Sequence, residues 1–136
     1  LNEPHLFSAI LTIASKDSLS SPDLHEICYS HTRQLVSSLL TGADAGVEAV
    51  EALLLLAEWV SHWPPPQTDI GRGEEDKVAW MYVGTALRLG YFLDLDRTAF
   101  DRENGEEEIP SLARRRLAWA GILKPTTFLK TVLTLK

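Results

Sequence analysis

Residues 49–60 read AVEALLLLAEWV. Taken as the centre of a helix from Gly46 to about Trp63, with Asp44 as its cap, the stretch is apolar nearly all round. Glu48, Glu51 and Glu58 are the exceptions. A helix that is apolar on most faces is packed on most faces. This segment is therefore expected to be the central element, with helices on both sides of it. Trp63-Pro64-Pro65-Pro66 ends it, because prolines remove backbone donors and force extended backbone. Its uninterrupted apolar run, Ala52 to Ala57, is far too short to span a bilayer.

Upstream, His5 to Ser15 (HLFSAILTIAS) sets Leu6, Ile10 and Ile13 on one stripe, with Phe7, Leu11 and Ala14 beside it. The spacing predicts a short, mostly buried helix. Lys16 to Ser21 is a polar loop, and Ser20 with Asp23 has capping-box spacing, with Pro22 tolerated in the first turn. The helix that follows runs to about Thr41 and stops at Gly42. It is expected to bury Leu24, Ile27, Cys28, His31 or Leu35, and Leu39, and to point His25 and Arg33 outward.

Downstream, residues 64–73 (PPPQTDIGRG) read as a loop, and Glu74, Glu75 and Asp76 fill the first turn of the next helix. There, negative charge meets exposed N–H groups. Residues 77–97 (KVAWMYVGTALRLGYFLDLDR) continue that helix to about Leu93. Ala79, Val83, Ala86, Leu87 and Gly90 form one face, flanked by Trp80, Gly84 and Tyr91. Glycine inside a helix costs about 1 kcal/mol against alanine, so Gly84 and Gly90 are expected to be points of close helix contact. In particular, the Trp80/Gly84/Leu87 face is expected against Ala52 to Val60. Asp94 to Gly105 reads as loop, and a fifth helix runs from Ser111 to about Leu123, where Lys124-Pro125 stops it. The class is all-α, a bundle or array of about five helices.

The 136 residues have room for one hydrophobic core. With a formal net charge of −6, the chain lacks the clustered positive field that holding nucleic acid phosphates requires. Its lone cysteine, Cys28, excludes an internal disulfide. The first residues already read as helix interior and no initiator methionine opens the chain, which suggests a fragment of a larger helical domain.

Candidate chemistry is sparse. His25, Cys28 and His31 fall at i, i+3, i+6, but a tetrahedral metal site wants a fourth ligand and tight convergence, so a core cysteine with two incidental histidines is the better account. Glu48, Glu51 and Glu58 have no histidine at the Glu-x-x-His spacing of helical di-iron sites. Gly71-Arg72-Gly73 follows prolines, not a strand, and no Lys-Ser/Thr pair follows it. The one sharp basic run, Arg114-Arg115-Arg116, fans over about 200° of a helix, so it cannot grip a single phosphate face. At least one of the three should pack along the core edge or pair with Glu106 to Glu108. Trp59, Trp63, Trp80 and Trp119 read as core or seam residues, or as the lining of an apolar cavity. No catalytic, cofactor-binding or metal-ligating residue is assigned.

In order along the chain, HLFSAILTIAS, VEAVEALLLLAEW, AWMYVGTALRLGYFLDLDR and ARRRLAWAG resemble the fungal-specific transcription factor domain. That is the all-helical middle homology region found downstream of Zn2Cys6 binuclear clusters. Glu51 to Trp59 is similar to the family's leucine-rich helix. Trp80, Gly84, Ala86, Leu89 and Gly90 are similar to its small apolar helix, whose glycine-leucine-basic turn is degraded here to Leu93-Asp94-Leu95-Asp96-Arg97. Arg114 to Leu117 and Trp119 resemble the start of its Arg-Arg-Arg-Leu-Trp-Trp signature. The resemblance spans residues 4 to 121 and stops short of the family's second aromatic, where Ala120-Gly121 and ILKPTTFLKTVLTLK follow. Residues 1–123 are thus expected to be a partial regulatory domain. Residues 124–136 are expected to be an atypical tail from truncation or mis-splicing.

The resemblance implies a non-enzymatic, non-DNA-contacting regulatory domain of an RNA polymerase II transcription regulator in the nucleus. It implies no cofactor in this chain, since the zinc belongs to a separate upstream cluster. Other regulatory proteins, a second copy of the chain, or a small-molecule effector are the partners implied, and no membrane. A partial domain is further expected to expose apolar surface where missing helices belong. The competing readings are a helical protein-interaction module and an enzyme built round a helical cavity.

Overall fold

The computed structural model describes residues 2–18, 21–59, 74–99 and 110–134, of which 22, 74–76, 99 and 125–134 are described by backbone alone. The chain is all-α. In order come α1 (Pro4–Ser15), α2 (Pro22–Leu40), α3 (Val47–Glu58), α4 (Glu74–Phe92), a 3-10 turn (Leu95–Ala99) and α5 (Pro110–Thr134). No strand occurs among the described residues.

As its composition implies, α3 is central, packing against α1, α4 and α5. Ala49, Val50 and Leu53 form the main core with Leu39 of α2, Ala86 of α4, Leu95 of the 3-10 turn, and Ala118 and Ile122 of α5. On another side of α3, Ala52 and Leu56 close with Ala9 of α1 into a second cluster. Burying a leucine of this kind is worth about 1.5–3 kcal/mol, so the clusters on α3 dominate the apolar stabilisation. The segment after α4, expected as loop, instead supplies the fully buried Leu95 and the buried Thr98.

The α1/α2 pair departs from the expected pattern, although Leu39 is buried and Arg33 exposed as expected. The buried face of α1 is His5, Ser8, Ala9, Thr12 and Ser15, while Phe7, Ile10 and Leu11 are exposed. On α2, His25 and Thr32 are buried, whereas Leu24, Ile27 and His31 are exposed. The polar residues also recur at helical spacing, and they satisfy one another. Ser8 Oγ lies 2.6 Å from Thr32 Oγ1, and Thr12 Oγ1 lies 2.7 Å from Thr32 Oγ1 and 2.9 Å from the Ser8 carbonyl. Ser15 Oγ donates to the Thr12 carbonyl at 3.0 Å. His25 Nδ1 lies 3.1 Å from both Ser15 Oγ and the Thr12 carbonyl. Because a carbonyl only accepts, Nδ1 carries the hydrogen. With each hydroxyl hydrogen usable in this seam, burial costs little, and small side chains let the helices approach closely.

Helix α3 closes at Glu58, with Trp59 already out of helical geometry, rather than near Trp63, and three further boundaries differ from expectation. The cap of α3 is the extended Gly46 rather than Asp44, and that of α2 is Ser21, one residue after Ser20. Neither cap makes a side-chain hydrogen bond, so residue type misled the reading. The third concerns α5, which continues through Lys124-Pro125 to Thr134. Proline's fixed φ is itself helical, so an interior proline forfeits one hydrogen bond and crowds the carbonyl four residues back without forbidding the helix. Gly42 ends α2 as expected. At φ 91° it lets its own N–H reach the Leu39 carbonyl and the N–H of Ala43 reach that of Ser38. The Pro64–Gly73 loop and the side chains of Glu74, Glu75 and Asp76 lie outside the described residues, as does Trp63.

The two glycines of α4 divide. At Gly90 an added Cβ would come within 2.8 Å of Ile122 Cδ1 and 3.2 Å of Trp119 Cζ3, so this is where α5 crosses closely. At Gly84, among the described residues, the neighbour of such a Cβ is Arg88 Nη1 at 3.7 Å. The expectation that a Trp80/Gly84/Leu87 face meets α3 is therefore corrected in part: Leu87 is half-buried against the main core, but Trp80 is 49% exposed, and Val83 and Ala86 are the buried residues. Gly90→Val should lower stability by about 1–3 kcal/mol through overpacking. Gly84→Ala should raise it by up to about 1 kcal/mol through helix propensity. Denaturant unfolding of both variants, with the slope checked for two-state behaviour, measures this difference in sign.

Candidate functional site

Among the described residues, an open groove of about 390 Å³ lies between α1, α3 and α5. Leu54 and Leu55 of α3 line it with Leu6 of α1 and Leu117 and Ala118 of α5, and Glu51 and Arg114 stand at its edge. Its α3 side follows from spacing: positions 51, 54 and 55 share one helical face, turned away from the Val50/Leu53 core. The α5 side is lowered by Gly121, where a Cβ would meet Leu54 Cδ1 at 3.0 Å.

The arginine run fans as expected, and each guanidinium ends on a different part of the fold. Arg114 Nε donates to Glu51 Oε1 and its Nη1 to Glu3 Oε1, both at 2.6 Å. Arg115 Nη2 donates to the Leu93 carbonyl at the end of α4, at 2.7 Å. Arg116 Nε donates to the Thr98 carbonyl at 2.9 Å. Hydrogen bonds to Glu3 and then Glu51 raise the pKa of Arg114, holding it charged. The expected partners Glu106 to Glu108 lie outside the described residues, and the described carboxylate partners are Glu3 and Glu51. The charged edge of the groove is thus largely neutralised from within.

A buried pair that the sequence reading missed joins α1 to α3. His5 Nδ1 donates to Glu48 Oε1 at 2.5 Å, and Glu48 Oε2 accepts the Leu6 N–H at 2.8 Å. Glu48 stands in the first turn of α3 while capping the first turn of α1, so one carboxylate meets the positive ends of two helices. The available signal was a glutamate inside the stripe Ala49, Ala52, Leu53, Leu56, where an unpaired charge is untenable.

The remaining candidates do not converge. His25 faces the hydroxyl seam, Cys28 is half-buried, and His31 is exposed, so the i, i+3, i+6 set spreads over different environments. No group of metal-ligating side chains occurs among the described residues. Trp119 packs on the core and makes an edge contact with Tyr91 at 5.3 Å between ring centroids. Trp59 and Trp80 are exposed, contrary to their reading as core or seam residues. Gly71-Arg72-Gly73 lies outside the described residues. No helix among the described residues is long and apolar enough to cross a membrane.

Tyr82 lines a small recess with Thr12, Tyr29, Thr32, Arg33 and Leu56. Burial raises its pKa, Tyr29 adds to the shift, and Arg33 opposes it. No family model matches the chain, and neither a curated protein nor a solved structure matches it.

Two outcomes follow from these environments. Glu48→Leu strands the His5 ring and the Leu6 N–H, and should cost about 1–3 kcal/mol in urea unfolding. For Tyr82, the unfolded phenol ionises near pH 10 while the folded one stays protonated. The stability present below pH 10 should fall as pH rises from there towards the folded value. Tyr82→Phe should flatten that alkaline loss in a melting-temperature series.

Proposed function

We propose that this chain is the regulatory, non-DNA-contacting helical domain of a fungal RNA polymerase II transcription regulator, working in the nucleus through contacts with other proteins. The observation that carries this reading is the use of the arginine run. Each of Arg114, Arg115 and Arg116 donates to a carboxylate or carbonyl of the same chain. The sharpest basic feature is thereby a structural device, in keeping with a net charge of −6. The ordered resemblance of four segments to the fungal-specific transcription factor domain supports the transcriptional assignment, with zinc and specific DNA contact belonging to a separate cluster.

A non-enzymatic role is favoured by the groove itself, which is apolar and whose Arg114 is already paired with Glu3 and Glu51. A protein-interaction module outside transcription is the second reading. It is favoured by the exposed Phe7, Ile10, Leu11, Leu24 and Ile27 on α1 and α2. Fusion to a heterologous DNA-binding domain distinguishes the two. The transcriptional reading expects reporter output in a fungal host to change relative to the DNA-binding domain alone, and expects the purified chain to give no sequence-selective gel shift. Unchanged output from a folded fusion, or a salt-resistant selective shift by the chain itself, would sink it.

A further inference from the structure

The recess beside Tyr82 is lined from α1, α2, α3 and α4, and it gathers hydrogen-bond donors with no described group to receive them. Its space of about 10 Å³ is that of a single ligand atom. Thr12 and Thr32 spend their hydroxyl hydrogens inside the seam, donating to the Ser8 carbonyl at 2.9 and 3.1 Å. Tyr29, Arg33 and Tyr82, by contrast, make no hydrogen bond or ion pair among the described residues. Tyr29 and Tyr82 are half-buried and Arg33 is exposed, so the guanidinium stands on the solvent side of the two phenols. A guanidinium only donates, and it carries its charge at every accessible pH.

The local field agrees with this arrangement. Burial raises the pKa of the Tyr82 phenol, Tyr29 adds to that rise and Arg33 opposes it, so both groups lie close enough to act on the hydroxyl. No described carboxylate is among the influences on it. The phenol therefore stays protonated, and a donor, past neutral pH. On α2, Glu26 precedes Tyr29 by one turn and Arg33 by two, and the acids that open α4, Glu74, Glu75 and Asp76, precede Tyr82 by about two. Two turns are about 10 Å of helix rise, over which exposed charges are largely screened at physiological salt.

We propose that this recess binds a carboxylate, which sets one oxygen between the Tyr29 and Tyr82 hydroxyls and turns the other to the Arg33 guanidinium. Room for one atom suits a single oxygen of a planar carboxylate. One cation on a chain of net charge −6 favours a monoanion over a dianion such as sulfate. A cationic ligand would meet Arg33 with no facing carboxylate to offset it. Hydrogen bonds from a guanidinium to a carboxylate are about twice as strong as neutral ones, so Arg33 supplies attraction and the phenols supply position. The inference does not depend on the transcriptional reading.

The test titrates the isotope-labelled full chain with sodium acetate and, in a second arm, with N-acetyl-aspartate N-methylamide, which presents its carboxylate as a protein side chain does. Sodium chloride and sodium sulfate at matched ionic strength, and neutral acetamide, are the controls. The carboxylates should shift the amide resonances of Tyr29, Arg33 and Tyr82 saturably, and the controls should not. Tighter saturation by acetate assigns the site to a free small carboxylate, and tighter saturation by the aspartate derivative to an acidic side chain of a partner. Tyr82→Phe and Arg33→Gln should each weaken binding by about tenfold. The first keeps the ring and the second alters an exposed side chain, so unchanged melting temperatures should accompany both losses. Saturating acetate should also move the alkaline rise in phenolate absorbance to higher pH, and Tyr82→Phe should remove that displacement. The proposal is overturned if neither carboxylate saturates, if chloride or sulfate reproduces the shifts, or if Tyr82→Phe and Arg33→Gln bind with wild-type affinity.

Discussion

One buried carboxylate sets the arrangement of the N-terminal half. Glu48 takes the His5 ring on one oxygen and the Leu6 N–H on the other, while sitting in the first turn of α3. A charge in that position needs both partners, because removing either leaves a buried polar group unmatched. These two contacts set which side of α1 faces α3 at its first turn. The stripe Ser8, Thr12, Ser15 then faces α2, and Phe7, Ile10 and Leu11 face outward. The polarity of the α1/α2 pair thus follows from a contact made with a third helix.

The C-terminal half is held by a complementary device. Consecutive residues on α5 point in directions 100° apart, which is why one short run reaches three places. Arg114 ties to α3 and to the residue preceding α1, Arg115 to the end of α4, and Arg116 to the 3-10 turn. The exposed Arg114 pairs contribute modestly in energy. Their effect is to fix the position of α5 beside α3, and with it the groove over Leu54 and Leu55.

Legibility in the sequence tracked the kind of interaction involved. The all-α class, the central place of α3, the stop at Gly42 and the buried Val83/Ala86/Gly90 face could all be read, because apolar periodicity and glycine chemistry are local signals. The fan of the arginines was readable as geometry, but its partners were not, since Glu3 and Glu51 are distant in sequence. The α1/α2 face failed for a physical reason. Hydrophobic periodicity assumes that the apolar stripe wins the interior, whereas here hydroxyls that satisfy one another in pairs and triplets take it. Gly84 was misread because a glycine marks possible closeness without naming what comes close. Pro125 was misread because a strong statistical stop is still a finite cost of about 3 kcal/mol.

The hydroxyl seam has a consequence for how the molecule comes apart. The contact between α1 and α2 itself holds little hydrocarbon, since Leu24, Ile27, Phe7 and Ile10 already face out, whereas Ala9 of α1 and Leu39 of α2 are anchored in the clusters around α3. Denaturant sensitivity and heat capacity of opening both scale with the surface newly wetted. Loss of the seam alone therefore wets little new surface, while freeing either helix completely takes its apolar contacts on α3 with it. The helices around α3 bury Leu53, Leu95 and Ile122 completely, and opening them wets far more apolar surface than loss of the seam does.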